Sequence, residues 1–166
     1  MKDSGIIFLS SILLQLTFLA CNQISPQPGE SYLSLTEDGA WCWFSDPRAI
    51  YVNGKFRRTY AGWIDQKGNI TVGFFDHDSK TIETNIVHKV LEVDDHDNPS
   101  LLMDPDGKLM VFYSKHSTRN SPIFLARARD RESIDAWEPV QTLRLNDTIT
   151  YAGFSNTYTY TNIVQL

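Results

Sequence analysis

The sequence predicts an all-β protein of short antiparallel strands, and three observations predict it. After residue 30 no stretch holds a helical period of apolar residues. The composition favours strands, with 12% aromatic residues within a chain that is 42% hydrophobic. Turn signals also recur at short intervals: Asn53-Gly54, Gln66-Lys67-Gly68-Asn69 and Asp104-Pro105-Asp106-Gly107 each separate two apolar runs. The 166 residues carry 15 Lys and Arg against 20 Asp and Glu, a formal net charge of −5. That balance excludes a disordered acidic tail and a polytopic membrane protein. No run concentrates Lys and Arg against phosphates, so no nucleic-acid partner is expected.

Residues 1–20 read as a bacterial export signal: Lys2, then an apolar run from Ile6 to Ala20 that is short for a membrane span. Phe18-Leu19-Ala20-Cys21 resembles a lipobox, which makes Cys21 the expected lipidation site and the product an outer-membrane lipoprotein at the cell surface or in the periplasm. A plain cleaved secretory signal is the alternative. Residues 21–38, with Pro26, Pro28 and Gly29, read as an N-terminal tether, leaving 39–166 as the folded part. With Cys21 lipidated, Cys42 has no disulfide partner and reads as a buried thiol between Trp41 and Trp43; a Cys21–Cys42 bridge is the lesser reading. No Cys/His pair stands near it at zinc-ligand spacing, so no metal is expected there.

The strands follow in order. Ala49–Val52 and Lys55–Trp63 flank Asn53-Gly54, a strong hairpin signal. Ile70–Phe75 follows the turn at Gly68, and Thr81–Val93 carries Ile82, Ile86, Val87 and Val90. Ser100–Met103 and Lys108–Ser114 flank the turn at Gly107; Ile123–Ala128, Trp137–Leu145 and Asn156–Leu166 complete the series. Trp63–Val72 resembles Leu102–Val111, with turn glycines 39 residues apart, near the ~40–50-residue repeat of propeller blades. Leu109-Met110-Val111-Phe112 is apolar on both faces, as a sheet sandwiched between sheets requires. The expected architecture is a β-propeller of four-stranded blades, of which this chain spans about three, with a β-sandwich as the alternative. Propellers close with roughly four to eight blades. The chain therefore reads as the front portion of a larger, truncated propeller.

One hairpin concentrates the polar chemistry. With Gly107 left-handed in a three-residue loop, Leu102 faces Met110 and Ser100 faces Phe112. The same register, continued outward, sets Asn98 opposite Ser114 and His96 opposite His116, all on one face beside Asp94, Asp95 and Asp97. Imidazoles paired with carboxylates suit proton transfer near neutral pH, although histidines that bond loop backbone are as common. His77 reads as solvated at a strand end, and His88 has no evident partner. No cofactor motif occurs, and neither a nucleophile elbow nor an H-E-x-x-H zinc motif is present. The carboxylates at 76–78 and 94–97 are compatible with a structural calcium, solvated turn acids being the commoner use.

Trp41-Cys42-Trp43-Phe44-Ser45-Asp46-Pro47-Arg48-Ala49, Thr59-Tyr60-Ala61-Gly62-Trp63, Asp94-Asp95-His96-Asp97-Asn98-Pro99 and Tyr113-Ser114-Lys115-His116 together resemble the BNR repeat-containing family. These are secreted bacterial propellers similar to the ulvan lyases of polysaccharide lyase families 24 and 25. The resemblance runs from about Gly39 to the last residue and implies a seven-bladed propeller acting by β-elimination on uronic-acid-containing polysaccharide. It implies catalytic roles for His96, for His116 and for Tyr160, the last within Tyr158-Thr159-Tyr160-Thr161-Asn162. Asp97 stands where Asn would match the family more closely. The Arg that neutralises the uronate is implied to come from a later blade. Trp43, Arg48 and Asn98 are candidate sugar contacts, the first two with a structural role as the competing reading. A non-catalytic glycan-binding propeller and a sialidase-like hydrolase are the alternatives; no S-x-D-x-G-x-T-W Asp-box supports the latter. The lipobox reading is tested by Cys21→Ala, which should move the protein from the membrane fraction to the soluble one. Unchanged membrane association contradicts it.

Overall fold

The computed structural model describes residues 33–42, 48–116, 121–144 and 158–163. They form two four-stranded antiparallel sheets, each an up-and-down meander. The first holds β1 (Ala49–Asn53), β2 (Arg57–Ile64), β3 (Ile70–Asp76) and β4 (Ile82–His88). The second holds β5 (Ser100–Met103), β6 (Leu109–Tyr113), β7 (Ile123–Arg127) and β8 (Gln141–Leu143). Among the described residues the sole helix is the 3-10 turn Asp95–Asp97, and no helix is long and apolar enough to cross a membrane. Consecutive four-stranded meanders packed on one another are propeller blades. The all-β blade architecture expected from the turns is the one adopted.

The side chains of β6 show why. Leu109, Val111 and Tyr113 point into a core shared with Tyr60, Ile64, Val72 and Phe74 of the first sheet. Phe112 points the other way, to a second cluster with Ile123, Leu125 and, from the 158–163 segment, Tyr158 and Ile163. A period-2 strand with apolar residues at both parities is stable only between two layers.

The 39-residue repeat needs correction. The Gly68 turn joins the second and third strands of its sheet, whereas the Gly107 turn joins the first and second. Blade starts, Ala49 and Ser100, are 51 residues apart, and the described residues hold two four-stranded blades, most of the third start expected at Asn156–Leu166 lying outside them. What recurs is turn chemistry. Gly68 and Gly107 have φ of 77° and 76°, a region that favours glycine. In each turn the Asp three residues earlier accepts main-chain N–H groups, Asp65 from Lys67 and Asn69, Asp104 from Lys108. That motif closes any hairpin of this length, wherever it falls in a blade.

Other boundaries move for local reasons. β4 ends at His88 because Val90 adopts φ of 51° and its N–H is taken by Asn69 Oδ1. Trp137 makes an isolated bridge to Ala128, and only Gln141–Leu143 extends the sheet. No strand forms in the described part of the Asn156–Leu166 run. Leu33–Cys42, partly assigned to a tether, lies on the first sheet: Ala40 N–H donates to Ile64 O and Asp38 Oδ1 accepts from Gln66 N–H.

The Asn53-Gly54 hairpin forms, but Asn53 pairs with Arg57, leaving three loop residues instead of two. The cause lies in the other blade. Glu132, 6% exposed and following β7, inserts its carboxylate into the loop and accepts from Lys55 N–H at 2.8 Å and Phe56 N–H at 2.9 Å. Its carbonyl accepts from Arg58 Nη1 and the Tyr60 hydroxyl. One residue thus latches the first hairpin to the second blade. Glu132→Ala strips two main-chain donors of their acceptor and should cost about 1–3 kcal/mol in urea denaturation. A loss near zero would show that the loop resolvates freely.

Candidate functional site

The expected register holds as far as the ladder goes, with Leu102 opposite Met110 and Ser100 opposite Phe112. Beyond Ser100 the strand cannot continue. Pro99 has no N–H to donate, and Asp94 caps the 3-10 turn by accepting from His96 N–H at 2.9 Å. His96 and His116 nevertheless meet, with ring centroids 3.9 Å apart and planes within 11°. A shared carboxylate brings them together rather than strand pairing. Asp94 Oδ1 accepts from His96 Nδ1 at 2.7 Å and Oδ2 from His116 Nδ1 at 2.9 Å. His96 Nδ1 also lies 2.8 Å from Asp95 Oδ1. An acceptor on Nδ1 holds the ring proton there and makes Nε2 the lone-pair nitrogen. Partial burial raises the proton affinity of Asp94, but hydrogen bonds from the His96 N–H and both imidazoles outweigh it and hold the carboxyl below the usual range.

The remaining members come from three segments. Tyr160 brings its ring to 5.1 Å from that of His96, on backbone with φ of 53°. Partial desolvation, the Cys42 thiol and the charges of Asp95 and Asp94 raise its phenol above the ordinary value. Glu92 accepts from His116 N–H at 2.6 Å. Asp97, 1% exposed, is pushed up to about 8 by burial and by the facing Glu92. Trp41, 72% exposed, precedes Cys42 in the chain. A cavity of about 270 Å³ beside Asp94 and Asp95 is lined also by Glu37, Asp38 and Asp65, giving it an acidic surface.

Asn98 is placed otherwise than expected. It is 5% exposed, accepts from Ile64 N–H and donates to Ala40 O and Asp95 O, so it pins the turn to the first blade and presents no surface to a sugar. Arg48 Nη1 donates to Ser100 Oγ and to Thr161 O, at the joint of both blades and the segment carrying Tyr160. That matches its structural reading. Trp43 and Cys21 lie outside the described residues. His77 is not simply solvated: it packs edge-on to Tyr51 and Phe75 and bonds Thr59 Oγ1 at 2.8 Å. His88 has a partner after all, the Tyr113 hydroxyl at 3.0 Å across the blade interface, and burial lowers its pKa. Asp94 was one of three acids expected beside the histidines, without its bridging role, whereas Glu92 and the placement of Cys42 beside Tyr160 gave no signal, because no spacing rule links residues joined through a turn.

Two donor sets stand within 4.8 Å, Cys42 with Asp95 and His96, and Asp94 with His96 and His116. The first was invisible at the level of chain spacing. In the second the stacked rings put an ion that lies in one imidazole plane out of the other, whereas two oxygens of one carboxylate serve both. The carboxylates at 76–78 are already engaged: Asp76 accepts from Ser79 N–H, Arg58 Nε and Asp78 N–H, and Asp78 pairs with Arg57.

The folded pKa of Asp94 lies below its unfolded value, so its stabilisation is present above the ordinary carboxylate range and lost as pH falls through the folded value. Asp94→Ala should therefore cost about 1–2 kcal/mol at pH 7 and progressively less below about pH 4. Denaturation midpoints of both proteins across pH check this; a pH-independent gap contradicts it.

Comparison with known proteins gives two matches. The model of the BNR repeat-containing family matches residues 58–165. A solved polysaccharide lyase of family PL25, an ulvan lyase bound to GlcA(1-4)Rha3S, is similar at 16% identity and a TM-score of 0.48. That similarity covers 63% of this chain and 28% of the lyase chain. No curated protein matches. With the family model running from β2 through both blades to the segment that carries Tyr160, the chain belongs to the BNR repeat-containing family.

Proposed function

We propose that this chain contributes the proton-transfer site of an exported, surface-anchored lyase that cleaves uronic-acid-containing polysaccharide by β-elimination. The observation that carries the reading is the His96–His116 stack on Asp94 with Tyr160 alongside. β-Elimination needs a base at C5 and an acid at the oxygen leaving C4. His96, with Nδ1 engaged by Asp94, has Nε2 as its basic nitrogen and takes the C5 proton. Tyr160, its phenol held protonated, gives a proton to the glycosidic oxygen as the C4–O bond breaks and the C4–C5 double bond forms. Return of the proton from His96 to Tyr160 resets the site. His116 orients His96 through the shared carboxylate. The uronate charge must be offset for the carbanion to be reached, by the Arg that the family resemblance places in a later blade.

A product assay on uronic-acid polysaccharides tests the reading. A lyase yields an unsaturated sugar absorbing in the ultraviolet, a hydrolase yields reducing ends without that absorbance, and a binding module yields neither. The variants are best made in the protein that carries the whole propeller. His96→Ala and His116→Ala should each lower turnover about 10²-fold or more, with a combined loss far below the product of the two. Tyr160→Phe should be at least as damaging. Near-full activity in both histidine variants would leave the stack structural and the base elsewhere.

A further inference from the structure

His96 and Tyr160 reach the site on stretches far apart in the chain, so the phenol needs its own anchor. Tyr160 stands on backbone with φ of 53°, a region that a residue with a side chain keeps only when its surroundings hold it there. The next carbonyl along, that of Thr161, is held from two sides. Arg48 Nη1, from the first blade, and Ser100 Oγ, at the start of β5, both donate to Thr161 O. Arg48 Nη1 also donates to Ser100 Oγ, closing a three-cornered network, and Thr161 Oγ1 donates to Phe112 O at 3.0 Å. Ser100 and Thr161 are both buried, so little water competes for these bonds. Tyr158 and Ile163, on either side, are held separately by the apolar cluster of the second blade.

We propose that Arg48 is a positioning residue for Tyr160: with Ser100 it clamps the Thr161 carbonyl, keeps the Tyr160 backbone left-handed and so sets the phenol beside His96. Ser100 belongs both to this clamp and to the strand that leaves the histidine turn, so one network fixes the acid relative to the base. Arg48 itself neither meets substrate nor moves a proton. Its guanidinium is planar and stays charged across the range in which imidazole and phenol titrate, so the clamp does not open with pH. Without it, Ser100 is left as the one side-chain donor of the clamp, and the backbone at Tyr160 is free to relax towards commoner φ. The catalytic consequence rests on the lyase reading; the placement of Tyr160 does not.

The test follows nuclear Overhauser contacts between side chains in the full chain, unmodified and as Arg48→Met and Arg48→Lys. The unmodified chain should show three: Tyr160 to His96, His96 to His116, and Tyr158 to the apolar cluster of the second blade. In Arg48→Met the first should fade while the other two remain, and Arg48→Lys, which can still donate to Thr161 O, should restore it in part. A Tyr160–His96 contact that persists in Arg48→Met overturns the proposal. So does the loss of all three together, which marks a general structural role. Should Arg48→Met not fold, Ser100→Ala removes the other donor and decides: the same contact should weaken, and an unchanged one overturns the proposal. Where lyase activity is found, Arg48→Met should lower kcat about 10- to 10²-fold with KM nearly unchanged. It should cost nothing further once Tyr160 is Phe, because the clamp acts through that phenol. A raised KM would make Arg48 a sugar contact, and an equal loss in both backgrounds would place its effect elsewhere; either overturns the proposal. Failure of the lyase reading removes the ultraviolet product and leaves the side-chain contacts intact, so the two failures are distinct.

Discussion

Everything around the candidate site depends on how residues Asp94–Asn98 are pinned between the blades. Asn98 ties the end of the turn to the first blade through Ile64 and Ala40, while Asp94 closes its start on the His96 N–H. With both ends held, the Asp94 side chain has one place to go, and both imidazoles meet it there. Removing a buried donor's partner exposes the full cost of an unsatisfied group, so such a joint resists small displacements. Packing between blades thus sets the geometry of the histidines, although neither histidine belongs to the core.

The same logic recurs at the other end of the interface. Glu132 crosses from the second blade to close the first hairpin, and Arg48 crosses from the first to meet Ser100 and the Tyr160 segment. Each crossing uses a polar side chain, buried at Glu132 and partly buried at Arg48, where an apolar contact would bury area without fixing register. The strands supply the area, through Leu109, Val111 and Tyr113 against Tyr60 and Val72. The polar latches decide which loop stands where.

What could be read from sequence follows from this division. Alternation in β6, the Gly107 turn and the Ser100–Phe112 register were legible because each is a local rule of pairing and turn chemistry. The blade period was not, since the Asp-x-x-Gly turn marks a loop length and says nothing of its place in a sheet. His96 and His116 were paired correctly by extrapolating a ladder that in fact ends at Ser100; a turn and one carboxylate do what pairing was expected to do. Asn98 shared their face in that extrapolation and turned inward once the strand ended. Glu92 and Glu132 gave no signal, because a buried acid is recognised only by what faces it.

The carboxylate clasp is the claim on which the rest turns, and it has a direct readout. Nitrogen-15 spectra of the chain labelled at histidine distinguish the two ring nitrogens and their protonation. Near neutral pH the account predicts that, in the neutral form of each ring, both His96 and His116 carry the proton on Nδ1 and a bare Nε2. A proton on Nε2 in either ring would contradict it, since that nitrogen could then neither accept from substrate nor leave Nδ1 donating to Asp94.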